Sequence, residues 1–175
     1  MINVLHLGSG QKFDDRFYQQ PNVRYITNDL AALAGITWPA NLNNFSWPFP
    51  DSYFDRVLAI DIIEHLDNPK LVFEEIHRLL KKSGEVEIQV PHFGSLAHAS
   101  DMTHRHGFTP LSFGFFLDGH PYCKAQPWYT SARFQCISFA LDDAEQTSMS
   151  IPIEWRTAML HHQVVGNLQL KLKKL

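Results

Sequence analysis

Residues 56–90 read RVLAIDIIEHLDNPKLVFEEIHRLLKKSGEVEIQV, and this stretch decides the fold. Arg56 to Ile60 is nearly all apolar, as in a strand covered on both faces. Asn68-Pro69 then opens a helix: Asn68 is a natural N-cap, and proline suits the first helical position. Val72, Ile76, Leu79 and Leu80 recur at helical spacing. Glu74 and Arg78 stand at i,i+4 for an ion pair. Lys81 and Lys82 are expected in the last turn, with Gly84 in the left-handed position that ends the helix. Glu85 to Val90 alternates polar and apolar residues and stops at Pro91, which makes it a strand. Strand, helix, strand is a parallel crossover, and such crossovers are right-handed.

Working outward, Met1 to Leu7 is an apolar first strand that breaks at Gly8-Ser9-Gly10. A short helix is expected over Gln11–Gln20, and Val23–Thr27 is a second strand ending at Asn28-Asp29. Leu30–Pro50 holds Gly35, Pro39, Pro48 and Pro50, which leaves room only for a short third strand near Ile36–Trp38. Downstream, Thr109-Pro110 starts a short helix through Phe116. Phe134–Leu141 and Leu168–Leu172 read as late strands with an antiparallel edge. The whole is an α/β chain, and 175 residues without a repeat or linker are read as one domain, 1–175.

Lys and Arg total 15 against 18 Asp and Glu, for a net charge of −3. A dedicated nucleic-acid binder needs a cation excess, so a small-molecule partner is favoured. No apolar run reaches the ~18 residues that span a bilayer, and the first residues lack the basic and apolar regions of a secretory signal. Cys123 and Cys136 match no metal or redox spacing. The expectation is a cytoplasmic protein away from membranes.

Gly8-Ser9-Gly10 after a first strand lets a ligand approach the backbone, with amides beyond the turn free to face a polar group. Asp29 lies about 20 residues on, where a carboxylate accepts from two ribose hydroxyls. The third glycine of a dinucleotide fingerprint is missing, and no Gly-Lys-Ser or Gly-Lys-Thr marks a phosphate loop.

Pro48, Phe49, Asp51, Phe54 and Asp55 entering a strand, then Glu64-His65-Leu66, then Glu75, Arg78 and Leu80 before Gly84, form one specific pattern. It resembles the class I S-adenosylmethionine-dependent methyltransferases of the small methyltransferase-domain type, from about Val4 to Phe116. The resemblance implies a Rossmann-like, doubly wound, mostly parallel sheet with an antiparallel C-terminal strand, in a three-layer α/β/α arrangement. It implies S-adenosylmethionine as cofactor and methyl transfer as activity. By position, Gly8, Ser9 and Gly10 would pack under methionine and ribose, and Asp29 would bind the ribose. Asn41 and Leu42 would meet the adenine, and Ala59, Ile60 and Asp61 would line the pocket. His6 and Asn41 stand where many relatives carry acids.

Pro91-His92-Phe93, His98 and Asp101-Met102-Thr103-His104-Arg105-His106 resemble a signature in a subset of that family, with Met102 in place of proline. Three readings of this loop stand side by side. The His and Asp residues satisfy turn backbone groups; or His104, then His92 and Asp101, serve as catalytic groups on the acceptor; or they ligate a metal, although no established metal spacing is present. His65 reads as a packed or cap-supporting residue. The aromatics Phe108, Phe113, Phe115 and Phe116 read as core or cover. The first strand starts almost at Met1, so the pocket's cover is expected from the 91–116 loop or from the partner in a homodimer. A cofactor-binding or regulatory domain without turnover is the competing functional reading.

Overall fold

The computed structural model describes residues 1–141 and 166–175. Seven strands form one sheet: β1 (Ile2–Leu7), β2 (Val23–Asp29), β3 (Trp38–Pro39), β4 (Phe54–Ile60), β5 (Leu80–Pro91), β6 (Phe134–Leu141) and β7 (Asn167–Lys174). Their order is β3-β2-β1-β4-β5-β7-β6. β1, β2, β3, β4 and β5 pair in parallel, while β7 runs antiparallel between β5 and β6. This is the doubly wound α/β sheet with its antiparallel late strand. Strand order reverses between β1 and β4, and that switch point opens a crevice beyond the strands' carboxyl ends.

Helix α1 (Pro69–Leu79) begins as expected, with Asn68 accepting from the Leu71 amide and Pro69 in the first turn. It buries Val72, Phe73, Ile76 and Leu79 in a core that also takes Val57, Ala59, Val86 and Ile88. Phe73 stacks on Phe116 and meets Phe113 edge-on, so the segment after β5 caps the helix. Phe113 closes the 3-10 turn Pro110–Phe113, where Thr109 and Ser112 form a reciprocal capping box. The expected helix from Thr109 is therefore one tight turn. Two further short helices follow β5: α2 (Leu96–Ser100) and α3 (Pro121–Ala125).

Three local expectations are corrected. Gln11–Gln20 forms turns rather than a helix. There the Asp14 carboxylate takes the Arg16 amide, offering the backbone a competing partner, and Gln19 takes a positive φ of 54°. The Glu74–Arg78 pair is not the one made: Lys70 pairs with Glu74, while Arg78 reaches Glu75 and Asp51. α1 gives way at Leu80 to extended backbone rather than to a left-handed residue, and the positive φ of 63° falls on Ser83, inside β5, not on Gly84. Lys81, Lys82 and Gly84 already belong to β5. Gly84 is needed for space, since a Cβ there would lie 2.9 Å from the Lys81 carbonyl oxygen.

Candidate cofactor cleft and histidine cluster

The turn after β1 is held from below by the end of β2. The Ser9 amide and hydroxyl both donate to the Asn28 carbonyl, at 2.8 and 3.2 Å. The Gly8 amide points at Asn28 Oδ1 at 3.4 Å, and the Gly10 amide donates to Asp29 Oδ2 at 2.9 Å. Asn28 spends its amide nitrogen on the Trp38 and Ala40 carbonyls, which fixes the 38–42 segment beside the turn. The three amides of the glycine turn are therefore engaged. The turn itself is a close-approach floor, and its own three amides do not face a ligand. A pyrophosphate needs free amide donors at such a turn, whereas an uncharged nucleoside does not.

Gly8 and Gly10 both take left-handed backbone, with φ of 57° and 52°. A Cβ on Gly8 would lie 2.5 Å from the Ile62 side chain, so Gly8 permits close packing against the chain leaving β4. A Cβ on Gly10 would meet nothing within 4 Å, so Gly10 faces open space.

Two clefts meet here and share Gly8 and Asp61. One, of about 370 Å³, is lined by Asp29, Asn41, Leu42, Asp61, His65 and Arg105 among others. The other, of about 440 Å³, is lined by His6, Gly8, Gly10, Lys12, Ile60 and Asp61 among others. The structure thus brings Gly8, Gly10, Asp29, Asn41, Leu42, Ile60 and Asp61 to one crevice. Ser9 also borders it, but its hydroxyl is spent on the turn. Ala59 is fully buried in the sheet and supports the crevice from beneath. Asp61 holds a positive φ of 50°, and its carboxylate accepts from the Gln89 side chain.

Asp29 anchors both the Gly10 and the Ala31 amides, one on each oxygen. Each carboxylate oxygen keeps a second lone-pair direction for a hydroxyl donor. His6 is buried, with Nδ1 2.6 Å from the Tyr25 hydroxyl. Burial holds it down to about 4, so the imidazole facing this crevice is uncharged at neutral pH.

The histidine-rich loop closes over the chain that leaves β4. Arg105 and His106 amides both donate to the Glu64 carbonyl, and Arg105 also pairs with Asp67. Glu64 lies in the 3-10 turn Ile63–His65 and is 0% exposed. Neither of its carboxylate oxygens has a hydrogen-bond partner, and burial pushes it up to about 8. His104 Nε2 lies 3.8 Å from Glu64 Oε1 and 3.7 Å from Asp101 Oδ2. His65 packs edge-on against the His104 ring. His92 turns back to its own loop, where the Gly94 amide donates to its Nδ1 and the ring packs on Phe93. His104 and Asp101 are therefore together, and His92 stands apart from them on the same loop. Sequence reasoning passed over Asn28, Glu64 and Arg105. Glu64-His65 was visible as a motif, but its burial was not.

A family described as a methyltransferase domain matches residues 16–88. Over this stretch, less than half of the chain, the sequence is similar to that family. Among solved structures it is similar to an S-adenosylmethionine-dependent methyltransferase from Archaeoglobus fulgidus at 18% identity and TM-score 0.63, covering 99% of this chain and 86% of that one. A second is the 1,6-didemethyltoxoflavin-N1-methyltransferase of Burkholderia thailandensis, solved with bound 1,6-didemethyltoxoflavin and S-adenosylhomocysteine. It has 15% identity and TM-score 0.61, covering 98% of this chain and 70% of that one. The cyclase SpnF shares the fold at 13% identity and TM-score 0.61, covering 99% of this chain and 74% of that one. No curated protein matches. Among the described residues, no helix is long and apolar enough to cross a membrane.

Proposed function

We propose that this domain binds S-adenosylmethionine in the joined clefts and transfers its methyl group to a small-molecule acceptor. The carrying observation is the crevice at the β1/β4 switch point, with the open floor at Gly10 and the Asp29 carboxylate on one wall. Engaged turn amides and lone-pair capacity on Asp29 suit a nucleoside rather than a dinucleotide. When bound, S-adenosylmethionine supplies a methyl carbon on a sulfonium, which a nucleophile attacks in line.

The chain's own work is alignment. Asp29 is assigned to the ribose hydroxyls, with Asn41 and Leu42 at the base. Gly8, Ser9, Gly10, Ala59, Ile60 and Asp61 shape the floor and the wall between the two clefts. His104, Asp101 and His92 are assigned to the acceptor side. The His104 Nδ1 faces the His98 carbonyl oxygen at 3.3 Å and donates to it, which leaves a lone pair on Nε2 to receive a proton. The reading extends to a cytoplasmic, membrane-free protein that works alone or as a homodimer.

The test supplies methyl-labelled S-adenosylmethionine to the protein with fractionated small-molecule extracts and measures release of S-adenosylhomocysteine. Labelled product in one fraction, with His104→Ala lowering turnover more than cofactor affinity, is the expected result. Cofactor binding with no transfer in any fraction would leave a binding or regulatory domain instead.

A further inference from the structure

The unpartnered Glu64 carboxylate is the feature that methyl transfer does not use. A carboxylate 0% exposed with neither oxygen hydrogen-bonded is costly, and such groups call for an explanation. It faces two imidazoles. The coordinating atoms of Glu64, His65 and His104 all lie within 4.8 Å of one another.

The proton wiring around these imidazoles is determined by their partners. The Thr103 hydroxyl lies 2.6 Å from Asp101 Oδ1, to which it must donate. Its only proton is then used, so at 3.0 Å it accepts from His65 Nδ1. That leaves the His65 lone pair on Nε2. His104 Nδ1, donating to the His98 carbonyl, likewise leaves its lone pair on Nε2. Metal-binding imidazoles are prepared in this way, with the other ring nitrogen donating to a carbonyl, carboxylate or hydroxyl that fixes tautomer and orientation.

We propose that Glu64, His65 and His104 form a three-ligand site for a divalent transition cation of the zinc class, with the Asp101 carboxylate beside it. Two imidazole nitrogens and one carboxylate are a donor set that such cations accept, with a further position left open. Bonds of ~2.0–2.1 Å put tetrahedral ligand atoms roughly 3.3 Å apart, so a spread of up to 4.8 Å closes with shifts of up to about 1.5 Å. The shift falls on the 101–106 loop, which the Arg105 and His106 amides already tie to the Glu64 carbonyl. His65 also lines the 370 Å³ cleft, so an ion held here borders the proposed cofactor site. A cation would engage the lone pair that receives a proton in the metal-free chain. The site itself does not require methyl transfer.

The test uses tag-free, metal-stripped protein without added cofactor, because the chain has 10 histidines of its own. Co²⁺ is titrated while visible ligand-field absorption is recorded, and Zn²⁺ is then used to displace it. One equivalent with intense low-coordinate bands is expected, weakened at least ~tenfold by His104→Asn and by Glu64→Gln. His65→Asn, at a partly exposed position, gives the same loss if a buried variant fails to fold. His106→Asn, outside the triad, leaves the titration unchanged. Absence of the bands, or equal affinity in wild type and the His65→Asn variant, overturns the site. S-adenosylhomocysteine binding measured on the same metal-free protein reports separately on the cofactor reading.

Discussion

At Asp29 one carboxylate links the sheet to the crevice: its two oxygens take the Gly10 and Ala31 amides and retain room for hydroxyl donors. Asp29→Ala is expected to weaken S-adenosylhomocysteine binding at least tenfold by calorimetry, and unchanged affinity would refute the ribose assignment. Its place at the crevice was legible because a carboxylate about 20 positions after a glycine turn sits at the strand-end rim, and its ribose role is the part proposed. Glu64 was not, because nothing in a Glu-His-Leu triplet states that its carboxylate is sealed away. A pH prediction belongs at this scale too. Burial pulls both His6 and His77 down to about 4. Their folded values lie below the unfolded 6.5, so the unfolded chain takes up protons first. The associated stability is complete above about pH 6.5 and is lost as pH falls toward 4, by up to ~1.4 kcal/mol per pH unit for each group. Glu64, pushed up to about 8, acts in the opposite sense over this range, so the test is the difference. Between pH 7 and 5 wild type should lose more stability, by urea midpoint, than His77→Gln does. An identical slope would contradict the assignment.

Among the elements, the two glycines of the β1 turn separate stability from binding. Gly8→Ala adds a Cβ against Ile62 at a positive φ and is expected to cost ~1–3 kcal/mol in denaturant unfolding. Gly10→Ala pays only the backbone term, ~1 kcal/mol, but intrudes on the open floor and should weaken cofactor binding more than it weakens the fold. Equal effects on both properties in the two variants would contradict this division. At α1, Asn68→Ala removes the cap to the Leu71 amide and is expected to cost ~1 kcal/mol. The start of that helix was readable because capping chemistry is local. Its end was misread because the chain turns extended at Leu80 and runs straight into β5, with the positive φ at Ser83 rather than Gly84. Gly84 is reserved for contact with the Lys81 carbonyl, a constraint set by tertiary packing. The 11–20 segment failed as a helix for a related reason: Asp14 and Arg16 satisfy one another and Glu87 instead of a helical face.

Over the whole molecule, the parallel crossover from β4 through α1 to β5 fixes the direction of the central strands, and the reversal of order between β1 and β4 fixes where a ligand can enter. The sheet was legible from apolar runs and glycine punctuation, and so was the end at which the crevice lies. The folding of the 92–106 loop onto the β4 exit was not, since it rests on amide bonds to the Glu64 carbonyl that carry no sequence signal. The crevice and the loop together support the proposal of a methyltransferase that grips an adenosyl nucleoside on its strand-end rim. The most direct test is calorimetric titration of the purified chain with S-adenosylmethionine and S-adenosylhomocysteine. The account predicts one saturable site for each, with micromolar dissociation constants. Absence of heat and of saturation for both ligands at millimolar concentration would contradict it.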